Sequence, residues 1–447
     1  MYRGTYAQPG GSSRRRRRRT NLFLALVFLL ELAVIGGFAA WLLLPEEPNR
    51  PESSQPGPEQ PSVSAPVEPE PVPEDPAVTQ ARTQLLEEAR QLMRGYYYEE
   101  ALQLLDGAPD LANDETDALR QELADLQAQL VPYADGQFYH IFFHSLIVNT
   151  DKAFDGDYDA PGYDLYMTTV SEFEAMLPKL QEAGFVLVDI HDLVEFQDGV
   201  AVRKEILLPP GKKPLVLSVD DVNYYQYMAD DGFASRLDLD ENGQVKAVVD
   251  GVLTDNGDVV PILDRYVAEH PEFSWRGAKG ILALTGYEGA FGYRITDLED
   301  YDEATGQAML QKTQAVAQAL RETGWQIACH SYTHNQYWNN RTITMEQIQY
   351  DIGRWKRDIA PYVGETDIFI SPFGVSFARD DARMAFLREQ GFSIYCHVDS
   401  TMPTKWDGSW FIQGRINLDG LTMKRYPERI SQYFFDPSEI LDPARPQ

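Results

Sequence analysis

Two adjacent carboxylates and a pair of histidines are the residues whose types and spacing best fit metal chemistry. Asp220 and Asp221 directly follow the apolar run Leu215–Val219, which has the composition of a buried strand. A second apolar run ends in His330 and His334, and their spacing predicts two imidazoles on one face of a helical turn. Carboxylate and imidazole ligands together suit a divalent cation that keeps open positions for water and substrate.

Three further apolar runs also end in polar or turn-forming residues. One leads into His144, a second into the segment Ser371–Gly374, and a third into the segment His397–Asp399. In a parallel barrel, functional groups collect at the carboxyl ends of the strands and in the loops that follow them. We therefore expect all five strand ends to contribute to one shared site.

The elements that must position these residues alternate along the chain from Tyr133 onward. The apolar runs that predict strands are Ile141–Val148, Phe185–Ile190, Pro214–Asp221, Gly280–Thr285, Trp325–Cys329, Asp367–Ile370, Ser393–Val398 and Phe411–Leu418. The segments that predict helices include Ser171–Ala183, Val260–His270, Glu303–Thr323, Met345–Val363 and Arg379–Gln390. This alternation predicts a mainly parallel sheet covered by helices, either open or closed into a barrel. A β-hairpin is predicted over Ser235–Val249, with its turn at Asn242-Gly243.

The overall composition argues against some classes of function. The chain has 447 residues, 43% of them hydrophobic, which is enough for a sizeable core. Its net charge is −30, although the first 20 residues carry seven arginines and no acidic residue. A chain this acidic is a poor candidate for binding nucleic acid. Cys329 and Cys396 lie inside apolar runs, so buried thiols are expected, with a disulfide as the alternative in an exported protein.

The first 78 residues divide into three segments of different composition. Residues 1–20 form a basic tail, and residues 21–44 are almost all apolar, interrupted by Glu31. That apolar segment is long enough to cross a bilayer, and a cleaved signal peptide, the alternative, normally has a shorter apolar region. The positive-inside rule then puts the N-terminus in the cytoplasm and everything after Leu44 outside a cell membrane. Residues 45–78 are rich in Pro, Glu and Ser and predict a disordered stalk.

Residues 79–132 predict a small α-helical module. Leu85, Ala89 and Leu92 have helical spacing, and Asn113 can cap a later helix. The intervening Gly-x-Tyr-x-Glu-Ala-Leu pattern weakly resembles one tetratricopeptide hairpin. Because a lone repeat cannot bury its own apolar face, a helical spacer packed on the next domain or a short coiled coil is the alternative. No particular protein partner follows from this pattern.

From about Gly136 to Leu418 the chain resembles the polysaccharide deacetylase family, also called the NodB homology domain or carbohydrate esterase family 4. Ser218-Val219-Asp220-Asp221 is similar to the family's Thr-Phe-Asp-Asp motif, and His330-Ser331-Tyr332-Thr333-His334 fits His-Ser/Thr-x-x-His. Ser371-Pro372-Phe373-Gly374 is similar to the Pro-Tyr/Phe-Gly loop. Asp399 and Trp406 resemble a later Asp/Trp motif, and Phe143-His144-Ser145 resembles the Tyr-His-Ser of the exopolysaccharide-deacetylase branch.

This resemblance implies a fold and a set of roles. The fold is a distorted (β/α) barrel over residues 133–447, preceded by the transmembrane helix, stalk and helical module. Asp221, His330 and His334 would bind one divalent metal ion, expected to be zinc, with cobalt or nickel as alternatives. Asp220 would be the general base. The backbone N–H of Phe373 would stabilise an oxyanion, with substrate contacts from the loop residues Pro372, Phe373 and Gly374.

The sequence departs from the family pattern at two positions. The arginine that usually precedes the Pro-Phe-Gly loop is absent, and so is the Leu-x-His that usually supplies the general acid. We predict that His144 replaces that acid, with His397 as a weaker alternative. Arg415 is predicted to orient Asp399 or Asp220. Asp399, Arg415 and Trp406 are grouped with the loop Pro372–Gly374 as predicted substrate-binding residues. Aromatic side chains near the motifs are candidate glycan platforms: Tyr224, Tyr225, Trp338, Trp406 and Trp410.

The predicted function is a membrane-anchored, metal-dependent hydrolase that removes N-acetyl groups from an envelope glycan, either peptidoglycan or an exopolysaccharide. The missing arginine and histidine leave a non-catalytic glycan-binding module as one alternative. An esterase acting on O-acetyl groups with the same fold is another, because the sequence does not distinguish an amide from an ester substrate. The intact Asp-Asp and His-Ser-x-x-His motifs favour the enzyme.

Overall fold

The computed structural model describes residues 74–446, and its centre is a closed parallel β-barrel. The strands in this part of the chain are β1 (Val131–Pro132), β2 (Tyr139–Phe143), β3 (Phe185–Leu187), β4 (Val194–Gln197), β5 (Val200–Arg203), β6 (Leu207–Leu208), β7 (Lys213–Val219), β8 (Arg236–Leu239), β9 (Val245–Val249), β10 (Val252–Thr254), β11 (Ile281–Leu284), β12 (Gln326–Cys329), β13 (Ile368–Ile370), β14 (Ile394–Val398), β15 (Thr404–Asp407) and β16 (Trp410–Asn417). Seven of them pair side by side in the order β7, β11, β12, β13, β14, β16 and β2, and β2 pairs again with β7. Every pairing in this ring is parallel.

The barrel is distorted where β7 meets two strands on one side. Its first residues, Lys213–Leu215, pair with β3, whereas Ser218 and Val219 pair with β11. Strand β15 adds to the ring from outside by pairing antiparallel with β16. The predicted α/β barrel is confirmed, and the eight predicted strands are all present with ends shifted by a few residues.

Side chains alternate between the two faces of each barrel strand. On β7, Leu215, Leu217 and Val219 belong to the large core between the strands and the outer helices. Val216 belongs to the smaller core inside the barrel, and Ser218 is its buried polar neighbour on the same face. Because β7 and β12 both pair parallel with β11, the residues that follow them lie at the same, carboxyl end of the barrel.

Helices cover the outside of the ring. In the described residues they are α1 (Pro76–Arg94), α2 (Tyr98–Asp106), α3 (Asp114–Ala128), α4 (Thr150–Ala153), α5 (Ala160–Tyr166), α6 (Val170–Glu182), α7 (Val259–Glu269), α8 (Glu303–Glu322), α9 (Gln336–Asn339), α10 (Met345–Asp358), α11 (Ala360–Val363), α12 (Ala382–Glu389), α13 (Gly420–Arg425) and α14 (Pro427–Ser431). Capping boxes begin α6 at Thr169 and α10 at Thr344. The single helix predicted over Met345–Val363 is divided into α10 and α11, because Pro361 has no N–H to continue the ladder.

Small antiparallel elements fill the remaining connections. The predicted hairpin is present as β8 and β9, with Gly243 at a φ of +77° in its turn, and β10 adds a third strand. A second hairpin, β4 and β5, was missed by the sequence prediction. It contributes Val194 and Ala201 to the core inside the barrel, at the end away from the carboxylate pair.

Helices α1 to α3 pack on the barrel as part of one compact unit. Tyr96 donates its hydroxyl hydrogen to the Glu272 carbonyl at 2.7 Å, and its ring centroid lies 4.9 Å from that of Trp275. Asn113 caps α3, as the sequence suggests. Helix α1 begins at Pro76, inside the range predicted as stalk.

The two cysteines are separate buried thiols. Cys329 pairs with Phe369 on one side of β13, and Cys396 pairs with Ile370 on the other, so a whole strand lies between them. The disulfide alternative is therefore wrong. The predicted basic tail and membrane span, with most of the stalk, lie outside the described residues. Within residues 74–446, no helix has both the length and the apolar character needed to cross a membrane.

Candidate active site

Asp221, His330 and His334 converge at the carboxyl end of the barrel, and one ligand atom from each lies within 4.8 Å of the others. Asp221 follows β7 and the histidines follow β12, with β11 between these two strands. The three residues were predicted as ligands from sequence, and the barrel brings them together. One carboxylate and two imidazoles form a donor set that suits zinc and related cations.

His330 is held in one orientation by the neighbouring strand. Its Nδ1 lies 2.8 Å from the Ile370 carbonyl oxygen, so Nδ1–H donates and Nε2 stays free for a cation. Burial lowers the pKa of His330 in spite of the nearby Asp220 and Asp221 carboxylates, so the ring is neutral. The Ile370 contact was not predicted, because a backbone carbonyl leaves no mark in a sequence motif.

The two histidines lie in a loop, and the predicted helical turn is wrong. Ser331 has a φ of +62° and His334 a φ of +44°, which a helix does not allow. Buried Asp351 on α10 stabilises this loop by accepting hydrogen bonds from the Tyr332 and Thr333 N–H groups at 3.0 and 2.6 Å. Its second oxygen accepts from the indole of Trp338 at 2.8 Å. Asp351 was missed because it lies on a helix outside every motif.

Asp221 is oriented by two hydroxyl groups. Tyr225 and Thr285 each donate to its Oδ1 at 2.6 Å, and its own φ is +57°. Burial opposes its ionisation, but the nearby His334 and the hydrogen bond from Thr285 outweigh burial and lower the pKa of this carboxyl. Strained backbone of this kind persists where surrounding contacts fix it, as they do here.

Asp220 is paired with Arg415 in a fully buried ion pair. The guanidinium donates through Nη1 to Oδ1 at 2.7 Å and through Nη2 to Oδ2 at 3.0 Å. Burial opposes ionisation, but the charge and the hydrogen bonds of Arg415 outweigh it and lower the pKa of Asp220. Arg415 was predicted to orient Asp399 or Asp220, and the structure shows its contact with Asp220. The Arg415 side chain is 0% exposed and therefore has no surface that a substrate could contact. Its predicted place among the substrate-binding residues is wrong.

A buried polar chain inside the barrel supports Arg415. Ser218 accepts from Arg415 Nη1 at 3.0 Å, and its Oγ also lies 2.9 Å from Nε2 of His140. His140 contacts Gln413 through Nδ1 at 3.0 Å. Sequence reasoning missed His140 and Gln413, although both alternate with apolar residues on their strands and therefore face inward.

The Pro372–Gly374 loop lies beside the histidines. Phe373 has a φ of +55°, and its ring centroid lies 4.3 Å from that of His334. It stands in the first turn of a short 3-10 helix, where backbone N–H groups have no partner within the helix. Gly374 is required here, since a Cβ would approach Val398 Cγ2 to 2.2 Å at a φ of +65°.

His144 and Asp399 also follow strands of the ring at this end. His144 is half-buried, and its Nδ1 is buried without a hydrogen-bond partner in residues 74–446. Asp399 accepts from the backbone and hydroxyl of Thr401 at 3.0 and 2.8 Å, which forms a local turn. His397 is buried, and burial lowers its pKa. Nδ1 of His397 lies 3.4 Å from the Val398 carbonyl oxygen, so the two imidazoles differ in their local contacts, and the choice of acid stays a prediction.

Trp406 lies away from this site, so its predicted substrate contact is wrong. It pairs with Phe411 near the start of β16, and its indole donates to the Leu193 carbonyl at 2.9 Å. It also packs against Phe138, which precedes β2, at the amino end of the barrel. The other aromatic candidates are each at most 8% exposed and belong mainly to cores: Tyr224, Tyr225, Trp338 and Trp410.

Comparison with known proteins supports the family resemblance. Residues 304–393, which contain both histidines and the Pro372–Gly374 loop, match the family model described as polysaccharide deacetylase. This match confirms the resemblance that the motifs indicate. No curated protein is significantly similar to the chain. Among solved structures, IcaB from Ammonifex degensii matches with 14% identity and a TM-score of 0.36, covering 64% of this chain and 94% of that one.

Proposed function

We propose that this protein is a metal-dependent deacetylase that removes N-acetyl groups from a glycan of the cell envelope. The observation that carries the proposal is the pairing of two different carboxylates at one strand end. Asp221 faces two imidazoles, whereas Asp220 is held by Arg415. The match of residues 304–393 to polysaccharide deacetylases supports the same activity.

The residues present fit a divalent cation. The Asp221, His330 and His334 ligand atoms lie within reach of one ion, and the Ile370 carbonyl leaves Nε2 of His330 available. Zinc is the proposed metal, because two imidazoles and one carboxylate are a common zinc donor set. A bound cation supplies Lewis-acid chemistry that polarises a carbonyl and acidifies water.

In the proposed reaction, Asp220 takes a proton from water as the water oxygen bonds to the acetyl carbon. The N–H of Phe373 donates to the oxygen on which negative charge develops. His144 then gives a proton to the sugar nitrogen as the carbon–nitrogen bond breaks. Acetate and a sugar with a free amine leave, so the atoms of one water are distributed between the two products.

The contacts of Arg415 argue against the alternative of a non-catalytic binding module. That alternative rests partly on the missing arginine before the Pro-Phe-Gly loop. Arg415 reaches Asp220 from β16 and supplies a bidentate partner to the carboxylate. A module that only binds glycan would gain nothing from keeping a buried ionised base, because an unneeded buried charge is costly.

The proposed setting is the outer face of a cell membrane, with the substrate being peptidoglycan or an exopolysaccharide. This part of the proposal rests on the sequence of residues 1–78: the basic tail, the apolar segment and the stalk. The excess of acidic residues over basic ones suits an exposed, soluble barrel.

The test is acetate release by the full-length chain from N-acetylglucosamine oligomers and from purified peptidoglycan, with zinc supplied. We expect release by the wild type and a loss of about 10²–10⁴-fold in the Asp220→Asn variant. Asp358→Asn, which changes a carboxylate on the outer helix α10, is the matched control and should release acetate normally.

Two results would count against the proposal. Equal release by the wild type and Asp220→Asn would remove Asp220 as the base. No release from any N-acetylated glycan by a zinc-loaded chain would favour the binding module. Release from O-acetylated glycan alone would instead identify the esterase alternative.

A further inference from the structure

Three tyrosine rings lie nearly parallel beside Asp221. The centroid of the Tyr225 ring is 5.7 Å from that of Tyr227 and 5.4 Å from that of Tyr287, with 18° between the planes in each pair. Tyr225 and Tyr227 follow β7, and Tyr287 follows β11, the next strand of the ring. Since Tyr225 also donates its hydroxyl hydrogen to Asp221, the group is continuous with the candidate metal centre.

The outer two rings are exposed although the inner one is buried. Tyr225 is 8% exposed, whereas Tyr227 is 54% exposed and Tyr287 is 37% exposed. Burial stabilises an aromatic ring most, so exposed and stacked rings at the edge of a polar site mark a candidate contact surface. They are not explained by core packing.

The backbone around these rings is firmly held. The N–H of Gln226 donates to Glu288 at 2.8 Å, and the N–H of Tyr287 donates to the Tyr332 carbonyl at 2.9 Å. Arg294 donates to the Glu288 carbonyl at 2.8 Å. A surface that is already ordered loses little entropy when a ligand binds.

We propose that Tyr227 and Tyr287 form a sugar subsite next to the position where the acetyl group is removed. This inference rests on the proposed function and extends it to the length of substrate recognised. The ring of a pyranose presents a face of C–H groups, which suits a flat apolar aromatic surface. Phe373 lies on the His334 side of the centre and the tyrosines on the Asp221 side, so a glycan crossing the centre would contact both.

The test compares binding of an N-acetylglucosamine pentamer with binding of the monomer. Calorimetry on the full-length chain would be run for the wild type, Tyr227→Ala, Tyr287→Ala and the double variant. We expect each single change to weaken pentamer binding by about tenfold, roughly the contribution of one aromatic contact. Monomer affinity should stay the same, because the proposed subsite takes a neighbouring sugar and not the one at the candidate metal centre. In turnover with the pentamer, KM should rise and kcat should change little.

Two controls separate a stacking role from a structural one. Tyr227→Phe keeps the ring and should keep wild-type affinity for the pentamer. Tyr350→Ala removes a tyrosine of similar exposure, 58%, from the outer helix α10 and should also bind normally. Unchanged pentamer affinity in the double variant would overturn the subsite, as would an equal loss for the monomer or a wild type that does not bind the pentamer.

The outcome for the subsite can be distinguished from the outcome for the reaction. A wild type that binds the pentamer through the two tyrosines but releases no acetate would refute the deacetylase and leave the subsite in place. A wild type that releases acetate, with the same KM in the double variant, would refute the subsite alone.

Discussion

The two ends of the barrel use the same residue types for opposite purposes. At the carboxyl end, Asp221 faces His330 and His334. At the amino end, Asp189 and Asp367 flank a single histidine, His191, at 2.7 and 3.0 Å. Both groups combine carboxylates with imidazoles, but only the first is suited to bind a cation. The difference lies in the hydrogen bonds: both ring nitrogens of His191 contact carboxylates, whereas Nδ1 of His330 donates to a backbone carbonyl.

At the amino end the histidine is a cation itself. Burial alone would lower the pKa of His191, but its hydrogen bonds to Asp189 and Asp367 raise it to about 10. Gln326 and Ser393 occupy the remaining oxygens of the two carboxylates. A protonated imidazole has no lone pair for a metal, so this group is a structural ion pair that ties β3 to β13.

At the carboxyl end the charges are divided differently. Arg415 neutralises Asp220, which leaves Asp221 as the carboxylate shared by two imidazoles. Burial then lowers the pKa of His330 below its usual value, so this imidazole keeps a lone pair. Arg415 engages both oxygens of Asp220, whereas Asp189 and Asp367 each share an oxygen with the imidazole of His191.

Replacing one histidine at each end should give the largest contrast. Replacing a residue that only supports a metal ligand lowers metal affinity by up to about 100-fold. Because His330 is a predicted ligand itself, we expect His330→Gln to weaken zinc binding by more than that. His191→Gln should bind zinc as tightly as the wild type. Calorimetric titration of zinc into each full-length variant measures this, and similar zinc affinities in the two variants would contradict the division between the ends.

Breaking the Asp220–Arg415 pair should destabilise the fold. Arg415→Met leaves a buried carboxylate unpaired and is expected to lower the free energy of unfolding by about 3–5 kcal/mol. Adding Asp220→Asn should restore much of that stability without restoring activity. Denaturant unfolding of the two variants is the measurement, and an equal loss in both would mean that the charge of Asp220 is not what Arg415 compensates.

Asp351, which is not a predicted metal ligand, should still affect zinc affinity at the candidate metal centre. Asp351→Ala removes the acceptor for the Tyr332 and Thr333 N–H groups, so the histidine loop loses its support. We expect zinc affinity to fall by about 10–100-fold, measured by competition with a chelator. Asp358→Ala, on the same helix, is the control, and a matching loss there would assign the effect to the helix as a whole.

The smallest predicted effect is a pH dependence at the amino end. Because the folded-state pKa of His191 lies above the usual 6.5, its stabilisation is complete below about pH 6.5. It is lost as pH rises through the folded value of about 10. The melting temperature of the wild type should exceed that of His191→Gln by about 2–4 °C at pH 6, and the gap should close above about pH 10. The side chain is 40% exposed, so solvent limits the effect, and a gap that widens with pH would contradict the assignment.

The strands and most ligands could be predicted from the sequence because they depend on local patterns. The apolar run Leu215–Val219 marks β7 by itself, and the carboxylates that follow it must stand at the strand end. The spacing of His330 and His334 identified the pair, although it could not predict a loop in which Ser331 is left-handed. Asp351, which lies outside the motif, holds the next two residues of that loop, Tyr332 and Thr333, by their N–H groups.

Contacts made by barrel closure could not be predicted in the same way. Arg415 reaches Asp220 across 195 positions of sequence, and this pairing depends on β16 lying beside β2 and β2 beside β7. The predicted substrate contact of Trp406 was wrong for a related reason. Its closeness in sequence to Asp399 did not indicate which end of the barrel it occupies.

The central claim is that the carboxyl end is a deacetylase centre that depends on one metal ion. It is tested most directly by titrating zinc into chelator-treated full-length chain and following acetate release from N-acetylglucosamine oligomers. We predict no release without metal and a rise that saturates at one zinc per chain. Release that persists after the metal is removed, or that ignores added zinc while zinc binds, would contradict the account.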